Sequence, residues 1–306
     1  MREGETLNNN LLDSNGLNEE EFLQNYNITK YDRPSMTVDI LLLTVSDQES
    51  ESYRKLPEKS LKVMLIKRKE HPFIGQWALS GGFIQIDENI EDAAYRELQE
   101  ETNVDNVYLE QLYTYGDVGR DPRGRIVSTS YMSLVNSKEI KMKAGSDAED
   151  VKWFEVDYKL TKEEREIEED GFIENNHYEI RLTNGETILS STVIVSRHIK
   201  GKLVSYKRKI LSSDGIAFDH GQIIQYGIER LRNKIEYTDI VFNLMPELFT
   251  LTELQKVYEE ILDKKLLKAN FRRKTAHMVT ETDKSTSDFG HRPSKLYEYN
   301  TRWNVK

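Results

Sequence analysis

Apolar residues along the chain repeat with two different periods, and each period predicts a different element. The runs TVDILLLTV, from residue 37, and LKVMLIKRK, from residue 61, predict two strands joined by the polar loop 46–60. Residues 107–118 and 125–136 predict two more strands, which flank the loop GRDPRG. The stretch IIQYGIERLRNKI predicts an amphipathic helix over 223–235, because its apolar residues share one stripe: Ile223, Ile224, Ile228, Leu231 and Ile235.

Residues 161–212 interrupt this pattern and are expected to be an insertion. The charge run KEEREIEED predicts a solvated face or a helix. Asn184-Gly185 lies between two alternating runs and predicts a hairpin turn, and IKGKLVSYKRKI adds a strand. The order of strand, loop, helix and strands in the first 236 residues indicates an α+β domain.

The C-terminal pattern differs from the rest of the chain. Thr250 and Glu253 form a capping-box pair ahead of an apolar stripe, which predicts a helix. A second, basic helix follows, and then two strands around a polar turn. Helix, turn, basic helix and hairpin is the order of a winged helix-turn-helix domain. The alternative is a small helical cap that completes the first domain or a dimer.

Composition limits the class of protein. The chain has 306 residues, of which 37% are hydrophobic and 31% charged, so we expect two domains with real cores. It has no apolar run of about 18 residues and no apolar segment after its basic start, so we expect no membrane span and no secretory signal. The absence of cysteine excludes disulfides, thiolate metal sites and cysteine nucleophiles. A cytoplasmic protein is the simplest expectation.

Charge is divided unequally along the chain. The net charge is −10, which alone argues against nucleic acid, but residues 264–306 hold 11 Lys and Arg against 4 Asp and Glu. Subtracting this local +7 leaves −17 for the rest of the chain. We therefore predict a flexible segment over 1–30, an acidic domain over 31–236 with its insertion at 161–212, and a basic domain over 237–306.

The most specific motif is GGFIQIDENIEDAAYRELQEETNV, residues 81–104. On a helix, Glu97, Glu100 and Glu101 share one face, where like charges repel by a few tenths of a kcal/mol per pair. A glutamate-rich surface helix is the plain alternative. A cation bound by the three carboxylates would relieve the repulsion, and oxygen ligands suit Mg²⁺ or Mn²⁺.

With Gly82 and Glu88 at fixed offsets, this motif resembles the box of the Nudix hydrolase family, whose fold is an α/β/α sandwich with a mixed sheet. Asn103 stands where the family usually has glycine, and Ser80 where proline is more usual. The resemblance implies that Glu97, Glu100, Glu101 and the Gly81 carbonyl hold divalent metal. It further implies that Arg96 orients Glu97, that Glu88 supports the loop, and that water attacks a substrate pyrophosphate. Glu97 or a glutamate outside the motif is the candidate general base.

The loop GRDPRGR is the best indication of the substrate. Its arginines, Arg120, Arg123 and Arg125, either decorate a turn or contact phosphate and ribose oxygens. The loop resembles Nudix proteins that act on ADP-ribose and related dinucleotides. Phe73 and Trp77 are candidates for stacking on a base, with a core role equally open. His220 is more often a packing or capping histidine than a ligand.

The segments AFDHGQII, ERLRNKIEYT, FTLTELQKVYEEIL, NFRRK and RPSKLYEY, in this order, resemble the NrtR group of Nudix-related transcriptional regulators. That resemblance implies a homodimer that binds DNA through the helix carrying Asn270, Arg272, Arg273 and Lys274, with ADP-ribose or a sugar phosphate as effector. Two hypotheses follow. The first is an ADP-ribose pyrophosphatase with a DNA-binding extension, and the second is a regulator whose Nudix domain senses its ligand without hydrolysis.

Overall fold

The computed structural model describes residues 11–48, 57–102, 107–136, 138, 140, 148–286 and 293–303, with the side chains of Glu101 and Thr102 also outside the description. The chain divides into two compact units, Met1–Ser35 and Met36–Lys306. Helix α1, Glu19–Asn25, lies in the first unit. Asn18 begins it with a capping box, in which its side chain accepts from the Glu21 N–H and the Glu21 carboxylate accepts in return.

Ten strands of the described chain form one sheet, in the order β10-β9-β8-β7-β2-β1-β6-β5, with β3 beside β2 and β4 beside β1. In chain order they are β1 Ser35–Asp47, β2 Lys59–Arg68, β3 Trp77–Ala78, β4 Ser80–Phe83, β5 Tyr108–Tyr115, β6 Ile126–Leu134, β7 Ala148–Glu168, β8 Gly171–Asn184, β9 Thr187–Lys200 and β10 Leu203–Asp214. The remaining elements are α2 Ile90–Thr102, α3 His220–Lys234, the 3₁₀ turn Ile240–Leu244, α4 Leu251–Leu262, α5 Lys268–Thr275, β11 Val279–Ser285 and β12 Lys295–Tyr299.

Strand β1 is buried on both faces and so defines three layers. Val38, Ile40 and Leu42 pack in one core cluster with Ala93, Ala94 and Leu98 of α2. The alternate residues of β1, Leu41 and Leu43, join a second cluster with the apolar stripe of α3. Because strand side chains alternate between faces, a continuous apolar run fits a strand covered by helices on both sides. The predicted α+β sandwich is confirmed.

The helix and hairpin expected on either side of residue 215 are both observed. Every residue of the predicted α3 stripe is fully buried: Ile223, Ile224, Ile228, Leu231 and Ile235. Strands β8 and β9 pair up to Asn184 and Thr187, and Gly185 takes a positive φ of 56° between them, as a tight hairpin turn requires. The charge run 162–170 is solvent-exposed, as one alternative had it, but it extends β7 rather than forming a helix.

The C-terminal elements follow the winged-helix order. Tyr258 of α4 meets Phe271 of α5 edge to face with ring centroids 5.3 Å apart, and β11 pairs with β12 as the wing. Helix α4 also contacts the first domain: the Leu61 N–H of β2 donates to Glu260 Oε1 at 2.9 Å, and burial raises the pKa of Glu260. The winged helix is therefore packed against the sheet.

None of the helices in the described part of the chain is long and apolar enough to cross a membrane.

The start of α4 generates a stability prediction. Thr250 Oγ1 accepts from the Glu253 N–H at 3.1 Å, and the Glu253 carboxylate accepts from the Thr250 N–H at 2.7 Å. Because Thr250→Ala removes one half of this box, we expect the free energy of unfolding to fall by about 1 kcal/mol in urea titrations followed by circular dichroism. Thr252→Ala, inside the same helix, is the matched control and should change stability by less than about 0.5 kcal/mol. Equal losses in the two variants would contradict the role of the cap.

Candidate functional site

A cavity of about 290 Å³ lies where β1, β4 and α2 meet the loop 116–125 and the start of α3. Its lining is mainly charged and aromatic and includes Asp39, Arg68, Gly81, Gly82, Phe83, Arg96, Glu97, Glu100, Arg120, Asp121, Arg123, Phe218 and His220. The motif on α2 and the arginine loop are separate in the sequence, and the fold brings both to the lining of one cavity.

Arg96 is the cation at the centre of the glutamate face. Its guanidinium contacts Glu97 Oε1 at 2.6 Å, Glu88 Oε1 at 2.7 Å and Glu100 Oε1 at 3.5 Å. The hydrogen bond with Glu88, and then that with Glu97, raises the pKa of Arg96, and Arg96 in turn lowers the pKa of Glu88. Arg96 also donates to the Phe83 carbonyl at 3.3 Å, so it ties α2 to the turn after β4. Arg96 therefore relieves part of the predicted repulsion between the glutamates of α2.

The two glycines of the motif each make room for a close neighbour, Gly82 for the carboxylate of Glu97 and Gly81 for the backbone of β1. A Cβ on Gly82 would lie 2.1 Å from Glu97 Oε1, and one on Gly81 would lie 2.2 Å from the Val38 carbonyl oxygen. Glu97 is 13% exposed, whereas Glu100 is 51% exposed at the mouth of the cavity. Only glycine permits this close approach of backbone and carboxylate.

The described donors are hard oxygen atoms, and their chemistry fits a divalent cation. Glu97 and Glu100 line the cavity, and Gly81 lies at its edge opposite Asp39 in the β1–β4 pair. Within the ranges given above, no group of three or more His, Asp or Glu residues is arranged to hold a metal. The third predicted ligand, Glu101, lies in α2 with its side chain outside the description, as does all of Asn103. The metal assignments therefore stay predictions.

Arg120 lies in the wall of the cavity and is largely buried, with 6% of its side chain exposed. Its Nε and Nη2 donate to the two carboxylate oxygens of Asp219 at 2.8 and 2.7 Å, and Nη2 lies 3.5 Å from Asp39 Oδ2. Ser128 Oγ donates to the same Asp39 oxygen at 2.5 Å. The arginine was predicted as a substrate contact, and it reaches the cavity as part of a buried ion network.

His220 lies beside this network and is 4% exposed. Its Nδ1 accepts the Leu79 N–H at 2.9 Å, so the proton of the neutral ring is on Nε2, which faces Asp39 Oδ1 at 3.5 Å. Burial lowers the pKa of His220, although Asp39 and Asp219 oppose the shift. Asp39 and Asp219 were missed from the sequence. Asp39 had a signal, since it is the one charged residue inside the apolar run TVDILLLTV.

The remaining arginines of the loop differ in position. Arg123 lines the cavity, pairs with Asp121 at 2.7 Å and lies 5.1 Å from the ring centroid of Phe83. Arg125 is exposed and donates to the Gly116 carbonyl at 2.7 Å, outside the lining of the cavity. The loop thus offers one partly exposed guanidinium to a ligand in the cavity.

Of the predicted stacking residues, neither lines the cavity. Trp77 is 6% exposed and packs on Phe154 in the core, which favours the core role. Phe73 packs edge to face on Phe218, with centroids 4.6 Å apart. Phe218 lines the cavity, and so does Phe83, which is 47% exposed. Phe73 and Phe218 both have positive φ, 60° and 53°, a strained backbone that occurs preferentially at functional sites.

Helix α5 presents a polar, cationic face to solvent. Phe271 and Thr275 are buried against the domain, while Asn270, Arg272, Arg273 and Lys274 are all exposed. The burial of one side of the helix therefore turns the predicted DNA-contacting residues outward together. Lys274 also lies 5.9 Å from the ring centroid of Tyr258, which links the basic face to α4.

Two family models match the chain. The NUDIX domain matches residues 55–174, and the NrtR DNA-binding winged helix domain matches residues 241–299. Both matches agree with the resemblances found in the sequence.

Three proteins similar to this chain are informative. The ADPR responsive transcriptional repressor NtrR of Acinetobacter baylyi is 32% identical over 285 residues, which cover 92% of this chain and 88% of that protein. An ADP-ribose pyrophosphatase of Methanocaldococcus jannaschii is 40% identical over 99 residues, 32% of this chain and 57% of that protein. The crystal structure of Shewanella oneidensis NrtR complexed with a 27mer DNA aligns with a TM-score of 0.58 and 29% identity, covering 88% of this chain and 94% of that one.

The buried histidine generates a pH prediction. Because the folded state lowers the pKa of His220 below its ordinary value of about 6.5, the unfolded chain takes up the proton first as pH falls. We therefore expect stability that is present above about pH 6.5 to be lost below it. His220→Asn keeps an acceptor for the Leu79 N–H but cannot titrate, so its urea midpoint should fall less than that of the parent between pH 7 and 5. If the urea midpoints of the parent and His220→Asn fall equally between pH 7 and 5, His220 does not contribute to the pH dependence of stability.

Proposed function

Because the chain belongs to the NrtR family, which joins a NUDIX domain to a DNA-binding winged helix domain, we propose that it is a transcriptional regulator whose cavity senses ADP-ribose or a related nucleoside diphosphate. The observation that carries this proposal is the outward face of α5, where three cations and an asparagine are exposed together on a winged helix. Such a face suits DNA, on which arginine and lysine bind phosphate and asparagine can contact a base edge.

The composition of the cavity supports a nucleotide as the effector. Phe83 and Phe218 offer aromatic surface for a base, and Arg123 offers a guanidinium for phosphate or ribose oxygens. The names of the Acinetobacter and Methanocaldococcus relatives point to ADP-ribose as the first compound to test. In this proposal ligand binding and DNA binding occur in different domains of one chain.

Hydrolysis of the same ligand is the second candidate function. It is supported by Glu97 and Glu100 in the cavity and by Gly82, whose missing Cβ admits the Glu97 carboxylate. Water would add to one phosphorus as the bridging P–O bond breaks, giving the dianions of AMP and ribose 5-phosphate and two protons at neutral pH. Mg²⁺ or Mn²⁺, held by Glu97, Glu100, Glu101 and the Gly81 carbonyl, would neutralise the diphosphate charge. Arg96 would keep Glu97 oriented.

The same proposal extends to architecture. Residues 31–236 would form the sensing domain, with 161–212 as its insertion, and residues 237–306 the DNA-binding domain. DNA sites with two-fold symmetry would make the acting species a homodimer.

The DNA-binding half of the proposal is tested with Arg272→Ala/Arg273→Ala. Because both side chains are exposed cations on α5, their loss should weaken binding to duplexes from the promoter upstream of the chain's own gene. The slope of log K against log salt should fall by about 2, that is, about 0.9 for each lost phosphate contact. Fluorescence anisotropy over a salt series measures both effects.

Arg165→Ala/Lys207→Ala is the matched control. It removes two exposed cations from the sheet insertion and should leave the slope unchanged. No binding by the parent, or equal slopes in both variants, contradicts the proposal.

The hydrolytic candidate is tested with Glu97→Gln. We expect the parent to release AMP from ADP-ribose with Mg²⁺, and the variant to be slower by more than roughly 100-fold, because even groups that only support a metal ligand contribute 10–100-fold. Glu91→Gln, an exposed change in the first turn of the same helix, is the matched control and should keep the parental rate. If the parent binds ADP-ribose by calorimetry but releases no AMP with Mg²⁺ or Mn²⁺, sensing stands and hydrolysis is rejected.

A further inference from the structure

The ion pair between Arg120 and Asp219 joins the wall of the cavity to the residue that precedes α3. Arg120 lines the cavity, and its two N–H donors hold both oxygens of Asp219 at 2.8 and 2.7 Å. Asp219 is the N-cap residue of α3, and its side chain caps none of the described backbone N–H groups of that helix. Aspartate at this position ordinarily accepts a hydrogen bond from the helix. In this structure the guanidinium, and none of the described N–H groups of the helix, holds the carboxylate of Asp219, so the helix N-terminus is a second partner available to it.

The segment that carries Arg120 is flanked by two glycines with positive φ. Gly119 and Gly124 have positive φ of 81° and 149°, and a Cβ on either would meet nothing within 4 Å. These glycines bracket residues 120–123 with a backbone that is open to rearrangement. A diphosphate in the cavity offers paired oxygens of the kind that arginine binds in bidentate fashion. A ligand of this class therefore competes with Asp219 for Arg120.

Helix α3 then connects the cavity to the winged helix. Its buried stripe is close-packed: a Cβ on Gly227 would lie 1.9 Å from Leu41 Cδ2, and one on Gly221 would lie 2.3 Å from Ser191 Oγ. Near its C-terminus, Arg232 Nε donates to the Ile261 carbonyl of α4 at 2.8 Å. Just beyond it, Glu236 pairs with Lys264 at 2.9 Å. Close packing transmits displacement, so a shift of α3 moves α4.

The last step reaches the basic face. Tyr258 of α4 packs edge to face on Phe271 of α5, and Lys274 lies over the same tyrosine. Phe271 anchors α5 from its buried side, and its chain neighbours Asn270 and Arg272 are exposed. A displacement of α4 therefore re-aims the side chains proposed to contact DNA.

We propose that the Arg120–Asp219 ion pair is a latch between the cavity and the winged helix. When the ion pair is formed, it holds α3 and the winged helix in the DNA-binding arrangement. When a nucleoside diphosphate binds Arg120 and breaks the pair, Asp219 caps α3 and the affinity for DNA falls. The inference rests on the proposed function, since it explains how the sensing cavity acts on DNA binding. Arg120 is a ligand contact in this scheme, and Asp219 and Arg232 are positioning residues.

The test compares DNA affinity, with and without saturating ADP-ribose, for the full chain and two variants. For the parent we expect ADP-ribose to weaken binding to the promoter duplex by about 5–150-fold, the usual range of allosteric coupling. Asp219→Asn can still cap α3 but cannot form the charged pair. Without ADP-ribose, Asp219→Asn should bind DNA about as weakly as the parent does with ADP-ribose bound. Adding ADP-ribose should change the DNA affinity of this variant by about twofold or less. The affinity of the variant for ADP-ribose should equal or exceed that of the parent.

Arg232→Met tests the other end of α3. It keeps an apolar stem beside Tyr158, over which the guanidinium lies at 4.9 Å, but loses the hydrogen bond to Ile261. We expect the affinity for ADP-ribose alone to stay parental and the coupling factor between ADP-ribose and DNA to fall. Arg165→Gln breaks a similar arginine–carboxylate pair, with Glu174 in the sheet insertion, and should keep the parental factor. Thermal unfolding of each variant verifies that it is folded.

The outcomes separate the two proposals. If ADP-ribose weakens DNA binding equally in the parent, Asp219→Asn and Arg232→Met, the latch is wrong and the regulatory function stands. If ADP-ribose does not change DNA binding by the parent, both are wrong. Loss of coupling in Asp219→Asn and Arg232→Met, with retained coupling in Arg165→Gln, supports the latch.

Discussion

Charges buried beneath the cavity must be paired, and the arrangement of the loop, strand and helix around it follows from that constraint. An unpaired charge in such a place costs several kcal/mol, and breaking a buried pair by removing one partner costs about 3–5 kcal/mol. Arg120, with 6% of its side chain exposed, pairs with two carboxylates from distant parts of the chain. They are Asp39 of β1 and Asp219, which precedes α3. Three segments far apart in sequence are thus held at one point.

Carboxylates are also paired with an arginine on α2, where the side chains are more exposed to solvent than in the Arg120 network. Arg96 is held between Glu88 and Glu97 while Glu100 faces solvent at the cavity mouth. The lining of the cavity holds equal numbers of carboxylates and arginines: Asp39, Glu97, Glu100, Asp121, Arg68, Arg96, Arg120 and Arg123. Because several of these charges are already paired with one another, a diphosphate that enters alone would add uncompensated negative charge. A divalent cation, the partly exposed Arg123 and, in the proposed latch, Arg120 are sources of positive charge that would make such a ligand favourable in the proposed function.

Elements with a local signal were predictable from the sequence. The period of the α3 stripe, the capping box at Thr250 and the hairpin signal of Asn184-Gly185 each depend on residues within a few positions of one another. All three elements are observed, with the hairpin turn one residue later than predicted, at Gly185 and Glu186. The cavity was only half predictable. Trp77 carries no mark that separates a core tryptophan from a stacking one, since that depends on Phe154, 77 residues later. The partner of Arg120 lies 99 residues away, so the sequence suggested a phosphate contact where the fold supplies an ion pair.

Sensing and hydrolysis make opposite demands on the same cavity. A sensor needs its ligand to persist long enough for the DNA-binding domain to respond, whereas an enzyme removes it.

The contact of Glu97 with Arg96, at 2.6 Å, is relevant to both proposed functions. A cation that binds Glu97 must share the carboxylate with a guanidinium that is already in place. The same contact keeps Glu97 oriented, so it would serve the proposed hydrolysis while it offsets part of the negative charge that a cation would meet. In this chain Glu97 and Glu100 remain in the cavity, beside a winged helix whose basic face is exposed. Slow hydrolysis would then limit how long the signal lasts, and the two proposed functions would act in sequence on one ligand.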